Sequence, residues 1–169
     1  GSQFLQAARV LQYPQHTDPL CEAIADRFAS DNIGLVVGPA TGGIILAYAT
    51  ARYLGARSAF TEKDGQGGMA IKRGFALQPG ERVLVVEDIT TTGGSVKKTI
   101  AHLKERGAEI AGVSLLIDRS GGEAEQACAA VADCRFEPLA SLDMESWTRE
   151  TCPLCKRGLQ LVEPDDLIV

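Results

Sequence analysis

The sequence predicts a single α/β domain in which a mostly parallel β-sheet is flanked by helices on both faces. Short apolar runs at residues 35–37, 83–86 and 113–117, the last interrupted only by Ser114, alternate with amphipathic stretches, as expected for strands that are buried on both faces. Strands and helices that alternate in this way form parallel sheets with right-handed crossovers. The chain has 169 residues, of which 45% are hydrophobic, and this is enough for one packed core.

Three helices are predicted from their end signals. The first, over about residues 18–30, begins with an Asp-Pro pair, which offers an N-cap followed by proline at the first helical position. The second and third, over residues 44–54 and 95–106, are each followed by a glycine that can end a helix. Because ligands bind beyond the carboxyl ends of the strands in such sheets, we expect the functional residues directly after the strands.

Composition and charge exclude several classes of protein. The formal net charge is −5, without a cluster of Lys and Arg, and aromatic residues make up 5%, so we expect no nucleic-acid partner. No apolar run approaches the roughly 20 residues that span a bilayer, and the chain opens without a basic-then-apolar signal, so we expect no membrane partner. Five scattered cysteines do not form the framework of a disulfide-stapled domain. We therefore expect a reduced, cytoplasmic protein.

Residues 1–169 are expected to form one domain with an internal loop and a distinct tail. The loop, residues 63–69, is rich in glycine and lies between two strand-like pieces, which predicts a mobile lid. The tail, residues 147–169, carries a close pair of cysteines.

The cysteine pair of the tail has the spacing of half a zinc site. Cys152 and Cys155 are separated by two residues, and Cys128 and Cys134 are candidates for the other half. The alternative is a reduced or redox-labile turn.

The segment after the strand at residues 83–86 carries the clearest chemical signal. It begins with two acidic residues, Glu87 and Asp88, and continues with hydroxyls and glycines that lead into a helix. The second part suits a phosphate, because glycines let the backbone approach closely and the N–H groups at a helix N-terminus attract anions. Its members are Thr90, Thr91, Thr92, Gly93, Gly94 and Ser95.

The acidic pair narrows the predicted ligand to a phosphorylated sugar. Carboxylates repel a phosphate unless they face something else, such as a sugar diol, a cation or a developing positive charge. In this hypothesis, Glu87 and Asp88 take the ribose hydroxyls and stabilise an oxocarbenium-like transition state while the phosphate occupies the turn. The alternative is a capped strand-to-helix turn with a solvated acidic edge.

Three motifs resemble those of one enzyme family. Residues 83–95, Val-Leu-Val-Val-Glu-Asp-Ile-Thr-Thr-Thr-Gly-Gly-Ser, resemble the phosphoribosyl pyrophosphate motif of the type I phosphoribosyltransferases. Residues 38–44 resemble the pyrophosphate loop of the orotate phosphoribosyltransferases, and residues 116–122 resemble their base-recognition stretch. The Cys-Pro-Leu-Cys of the tail resembles that of one bacterial and archaeal branch. The resemblance implies the type I phosphoribosyltransferase fold, with a small hood and a flexible lid loop.

The resemblance implies transfer of ribose 5-phosphate from phosphoribosyl pyrophosphate to orotate, with Mg²⁺ as cofactor, in pyrimidine (UMP) biosynthesis. It implies that Glu87 and Asp88 hold the ribose hydroxyls, that the turn binds the 5′-phosphate and that Thr91 also lies near the base. It further implies that Arg119 pairs with the orotate carboxylate and that Phe4 lines the base pocket. Backbone N–H groups that would face the pyrophosphate belong to Ala40, Thr41, Gly42 and Gly43.

The resemblance also implies a homodimer in which Lys63 of the lid loop reaches the pyrophosphate, with the neighbouring subunit's site as its expected place. The loop lacks the Arg-Lys, second Lys and His of many members, so Lys72 and Arg73 are candidates to share the role. Some members have a lysine where this chain has Gly42. The family's hood precedes the segment that resembles residues 3–7, so we expect an incomplete hood here, and its lysine is not assigned.

Two other functions stay open. A phosphoribosyltransferase for a purine or for uracil would share the sugar site, but Arg119 would have little to pair with if the base lacked a carboxylate. A non-enzymatic regulator that senses phosphoribosyl pyrophosphate would normally need a DNA-binding module and a basic face, and this sequence offers neither. Simpler roles also stay open for residues 40–43, as a tight turn, and for Arg119, as a surface cation.

Overall fold

The computed structural model describes residues 5–145, 147–148 and 150–159. Within these ranges the strands are β1 (Leu35–Pro39), β2 (Arg57–Lys63), β3 (Met69–Ile71), β4 (Arg82–Thr90), β5 (Glu109–Asp118) and β6 (Arg135–Ser141). They form one sheet in the order β3-β2-β1-β4-β5-β6. All neighbouring pairs are parallel except β2 and β3. The predicted α/β class with a mostly parallel sheet is confirmed.

Helices cover both faces of this sheet. The helices of the described residues are α1 (Ala8–Leu11), α2 (Pro14–Arg27), α3 (Gly42–Leu54), α4 (Gly94–Glu105), α5 (Glu123–Ala129) and α6 (Pro153–Lys156). Successive strand residues point to opposite faces, so Leu84 and Val86 pack under α2 and α3, whereas Val83 and Val85 pack under α4 and α5. Among the described residues, no helix combines the length and the apolar character needed to cross a membrane.

The first long helix begins earlier than predicted. It starts at Pro14, and Pro19 lies inside it rather than at its first position, so the prediction of an N-cap at Asp18 is wrong. The physical reason is that the buried face of α2 extends back past Pro19. Thr17 is buried on this face, and its hydroxyl donates to the carbonyl of Tyr13 at 3.2 Å.

The other two predicted helices are confirmed, with starts one or two residues earlier. Helix α3 ends at Leu54 and is followed by Gly55 in the left-handed conformation, with φ of 64°. This is the helix end for which glycine is best suited. Helix α4 spans Gly94–Glu105, and a second left-handed glycine, Gly107, follows it.

The predicted lid forms the connection of the β2–β3 hairpin. The Asp64 carboxylate accepts the N–H groups of Gln66 at 2.7 Å and Gly68 at 2.9 Å, which closes the turn. Strand β3 lies at the edge of the sheet and is fastened to α4 by His102, whose Nε2 accepts the N–H of Ile71 at 3.1 Å. Helix α4 therefore fastens the edge strand of the hairpin to the rest of the domain.

His102→Ala is expected to loosen the edge strand without unfolding the domain. The variant removes the acceptor for the Ile71 amide, and β3 has only three residues with which to hold itself in place. Hydrogen exchange should accelerate at residues 69–71 and stay unchanged in β4. Exposed His16 provides the matched control, and His16→Ala should leave β3 exchange at the wild-type rate. Unchanged exchange in His102→Ala would contradict the assignment.

Candidate active site

A cavity of about 250 Å³ lies between the carboxyl end of β4 and the first turn of α4. Its walls are polar for the most part, because the loop between the two elements contributes hydroxyls and backbone groups. Six of the eight residues that the sequence assigned to the sugar phosphate line it. The lining residues are Glu87, Ile89, Thr90, Thr91, Thr92, Gly94, Ser95, Val96 and Lys98.

Two residues of the predicted phosphate turn, Thr90 and Gly93, fix the shape of the turn and do not offer a free side-chain donor to the cavity. The hydroxyl of buried Thr90 accepts the N–H of Gly93 at 2.9 Å and is therefore already engaged. Gly93 has φ of 73°, and a Cβ there would lie 2.9 Å from Cα of Ala124, so this position requires glycine. The hydroxyls left exposed at the cavity are those of Thr91, Thr92 and Ser95.

Helix α4 begins at Gly94, directly at this turn. The first N–H groups of a helix have no partner within the helix, and the helix dipole adds partial positive charge at the same end. Because the turn delivers these N–H groups to the cavity together with the three hydroxyls, the cavity has the donors that a phosphate needs.

The acidic pair lies inside β4 and not after it. The sequence placed the end of the strand at Val86, but β4 continues to Thr90. Glu87 is 9% exposed and faces α4, and its Oε1 accepts the N–H of Asp88 at 3.1 Å. Burial, together with the adjacent charge of Asp88, raises the pKa of Glu87 to about 8. The Glu87 carboxyl therefore holds a proton at neutral pH when the cavity contains no ligand.

This proton predicts how stability depends on pH. The ordinary pKa of a glutamate is 4.5, against about 8 for Glu87 in the fold. As the pH rises through this window, the unfolded chain releases its proton first, so the contribution of Glu87 to stability is lost between about pH 4.5 and pH 8. Glu87→Gln cannot ionise, and we expect it to unfold at higher urea concentration than wild type at pH 8.5 and at a similar one at pH 4.5.

The matched control for this measurement is Glu105→Gln, because Glu105 is exposed at the end of α4. Its difference from wild type should be the same at both pH values. A Glu87→Gln variant that kept the wild-type pH dependence would show that Glu87 does not carry the proton.

Asp88 faces the other side of the sheet and contacts the start of α3. A Cβ at Gly42 would lie 2.1 Å from Oδ2 of Asp88, so the carboxylate occupies the space that a side chain would take. Its Oδ1 accepts the N–H of Ile89 at 2.6 Å. Position 42 is the first residue of α3, where the helix dipole favours a negative charge. The predicted pyrophosphate loop thus meets Asp88 at this point, whereas Glu87 lies on the opposite face.

The turn from β1 into α3 is tight and leaves its tip exposed. A Cβ at Gly38 would lie 2.0 Å from the carbonyl oxygen of Gly43, so strand and helix approach each other as closely as the backbone allows. Ala40 and Thr41 at the tip are exposed, and the peptide bond that joins them is cis. The tight-turn role that the sequence left open therefore applies to Gly43. The N–H of Ala40 donates to the carbonyl of Thr61 at 2.8 Å, so the prediction that it faces the pyrophosphate is wrong, whereas Thr41 stays exposed at the tip.

Arg119 is tied to the phosphate turn through its backbone. Its N–H donates to the carbonyl of Thr90 at 3.0 Å, which links the end of β5 to the end of β4. Within the described part of the chain, its Nε is buried and has no hydrogen-bond partner. A buried donor without a partner is costly, so its presence points to a partner supplied by a ligand.

The predicted lid cations lie outside the cavity. Lys63 ends β2, which β1 separates from β4, and its ammonium has no ion-pair partner among the described residues. Its carbonyl accepts the Lys72 ammonium at 2.7 Å. Arg73 is engaged by two hydrogen bonds of 2.7 Å with the Glu62 carboxylate. Of these three cations, Lys63 is the one left available for a ligand.

The remaining predicted site residues are Phe4 and the cysteines. Phe4 lies outside the described residues. Cys152 Sγ accepts the N–H of Cys155 at 3.2 Å, whereas Cys128 and Cys134 pack in the core beneath α4. Over residues 5–145, 147–148 and 150–159, no group of three or more His, Cys, Asp or Glu side chains is placed to hold a metal ion. The four-cysteine zinc site is therefore not formed there.

Sequence reasoning missed Lys98, which among the described residues is the one cation that lines the cavity. The available signal was its spacing, because Lys98 follows Gly94 by four residues and the two lie on the same face of a helix.

Comparison with known proteins places the chain in one family. The model of the phosphoribosyl transferase domain matches residues 8–136. The orotate phosphoribosyltransferase of Desulforamulus reducens is 46% identical over 97% of this chain and 82% of its own length. Relatives between 41% and 46% identical carry the same name.

Two solved structures extend the comparison to the fold. Orotate phosphoribosyltransferase from Aeropyrum pernix has a TM-score of 0.70 at 25% identity and covers 94% of this chain and 85% of its own. Adenine phosphoribosyltransferase from Rhodothermus marinus has a TM-score of 0.70 at 26% identity and covers 83% of this chain and 87% of its own. The chain belongs to the phosphoribosyltransferase family and, within it, to the orotate phosphoribosyltransferases.

Proposed function

We propose that this chain transfers ribose 5-phosphate from phosphoribosyl pyrophosphate to orotate, giving orotidine 5′-monophosphate and pyrophosphate, in pyrimidine biosynthesis. The observation that carries the choice of base is Arg119, whose buried Nε lacks a partner and whose backbone is tied to the phosphate turn. The planar guanidinium matches a carboxylate, and orotate has one. Purines and uracil have none, so they would leave this donor unsatisfied.

The proposed reaction begins with anchoring of the 5′-phosphate. The hydroxyls of Thr91, Thr92 and Ser95 and the free N–H groups at the start of α4 surround the cavity and supply the donors. A phosphate fixed there holds the ribose over the end of β4, where Glu87 and Asp88 reach its hydroxyls. Thr91 also lies near the base in this arrangement.

Bond cleavage then leaves positive charge on the sugar. As the bond to pyrophosphate breaks, the anomeric carbon gains oxocarbenium character, and the nearby carboxyls stabilise it. Asp88 contributes most, because Glu87 holds a proton at neutral pH until a ligand changes its surroundings. Exposed Thr41 at the tip offers its backbone N–H to the departing pyrophosphate, and N1 of orotate attacks the anomeric carbon.

The proposal includes Mg²⁺, and the residues present fit it. Mg²⁺ prefers oxygen ligands, keeps several waters and is commonly held by one or two carboxylates together with substrate phosphates. Glu87, once it has lost its proton, supplies such a carboxylate in the cavity, and Asp88 supplies a second one on the opposite face of β4, at the start of α3. No cage of three protein ligands exists among the described residues. When bound, the ion would neutralise charge on the pyrophosphate.

The proposal also includes a homodimer, supported by an apolar surface on the described helices. Ile45, Tyr48 and Tyr53 on α3 and Val10 and Tyr13 beside them are exposed, with Tyr48 at 64%. Helices α1, α2 and α3 pack together, so these side chains share one region. A surface of this kind suits a second copy of the chain.

A dimer gives Lys63 a place to act, because the lid of one subunit reaches the site of the other. Mixing Lys63→Ala with Asp88→Asn tests this directly. A hybrid dimer then has one site with both residues intact, so activity should rise above that of either variant alone. A mixture that is as inactive as its components, although hybrids have formed, would place Lys63 in its own subunit's site.

A cytoplasmic location completes the proposal, supported by the absence of disulfides among the five cysteines. The function itself is tested by assaying orotate, uracil, adenine and hypoxanthine as acceptors of the same sugar donor. We expect turnover with orotate and little with the other three. Turnover with a purine and none with orotate would overturn the proposal.

A further inference from the structure

We propose that Lys98 is a phosphate-binding residue of this site, paired with the 5′-phosphate of the sugar donor. The inference rests on the proposed function and adds one residue to it. Lys98 lines the cavity between β4 and α4, and no motif of the sequence had pointed to it.

The position of Lys98 on α4 brings it to the phosphate turn. It lies four residues after Gly94 and three after Ser95, so all three share one face of the helix. Long side chains on a helix point back towards its N-terminus and cover the turn before their own Cα. The methylene stem of Lys98 therefore runs over the first turn of α4, and its ammonium reaches the cavity that this turn borders.

The charge of the cavity requires such a residue. A phosphate monoester carries nearly two negative charges at neutral pH, whereas a helix N-terminus offers only about half a positive charge. The remaining polar lining consists of neutral hydroxyls and the acidic Glu87. In the described part of the chain, Lys98 is the cation that lines the cavity, and no ion pair or hydrogen bond engages its ammonium.

The two neighbouring lysines of α4 do not line the cavity. Lys104, one and a half turns further along α4, donates to the carbonyl of Val131 at 2.7 Å. Lys97, the direct neighbour of Lys98, does not line the cavity although it is also exposed. Lys97 thus provides a matched control, with the same charge, the same helix and one residue of separation.

The test compares the steady-state kinetics of Lys98→Gln, Lys98→Arg and Lys97→Gln. We expect Lys98→Gln to raise KM for phosphoribosyl pyrophosphate about tenfold, since a charge-assisted hydrogen bond is lost, while kcat and KM for orotate stay near wild type. Lys98→Arg should restore most of the affinity, and Lys97→Gln should leave it unchanged. KM values that coincide for the two glutamine variants would overturn the inference.

A binding measurement separates failure of this inference from failure of the proposed function. Inorganic phosphate, which needs no catalysis, should raise the unfolding temperature of wild type and Lys97→Gln but not of Lys98→Gln. If wild type turns over orotate and phosphate stabilises all variants equally, Lys98 has no role and the function stands. If only Lys98→Gln loses the stabilisation but no variant turns over orotate, the lysine assignment stands and the function falls.

Discussion

Asp88→Asn is expected to lower kcat about 100-fold or more while leaving the fold intact. The substitution keeps the size of the side chain but removes the negative charge that the proposed mechanism directs at the oxocarbenium-like transition state, and the loss of one such group commonly has this size. Only the transition state carries the charge, so KM for either substrate should change much less than kcat. Steady-state kinetics with both substrates measures this split.

The matched control for Asp88→Asn is Asp133→Asn. Asp133 is exposed just before β6, at the amino end of the parallel strands, whereas the cavity lies at their carboxyl end. Its variant should therefore keep wild-type kcat. The unfolding temperature of both variants should stay close to wild type, because asparagine has the size of Asp88 and its side-chain oxygen can still accept the N–H of Ile89. Wild-type kcat in Asp88→Asn would remove this residue from the chemistry.

Arg119→Ala is expected to raise KM for orotate about 100-fold, with little change in KM for phosphoribosyl pyrophosphate. The guanidinium supplies charge-assisted hydrogen bonds to the carboxylate of the base, and its buried Nε has no other partner in the described structure. Arg119→Lys keeps the charge but loses the planar fork, so its KM should lie between those of Ala and wild type. The same kinetic assay, run at saturating sugar donor, measures all three.

A base without a carboxylate provides the control for the Arg119 prediction. Uracil lacks the carboxylate, so whatever weak activity wild type has with uracil should be unaffected by Arg119→Ala. Arg106→Ala, at the far end of α4, should leave KM for orotate unchanged. A variant of Arg119 that altered KM for the sugar donor alone would show that this arginine does not read the base.

The core of the fold was predictable because its strands are buried on both faces. The apolar runs of β1, β4 and β5 therefore indicated buried strands directly. The glycines after α3 and α4 likewise indicated where these helices end. Strand β6 was missed because it lies at the sheet edge and is only partly buried, so it has no apolar run and tolerates Pro138. The start of α2 was misplaced because Pro19 is accommodated within the helix.

The site was predictable in composition but not in geometry. Hydroxyls and glycines between a strand and a helix indicated the phosphate turn, because that chemistry is local in sequence. The extension of β4 through Glu87 and Asp88 was not predictable, since polar residues interrupt the apolar pattern by which strands are recognised. The bond between the Arg119 amide and Thr90 joins residues that are distant in sequence, and only strand pairing brings them together.

The complex with orotidine 5′-monophosphate tests the whole arrangement in one measurement. We expect a crystal structure of this complex to have the phosphate within hydrogen-bond distance of the Thr91, Thr92 and Ser95 hydroxyls and the base carboxylate on the guanidinium of Arg119. A phosphate bound away from the first turn of α4, or a carboxylate that does not contact Arg119, would contradict it.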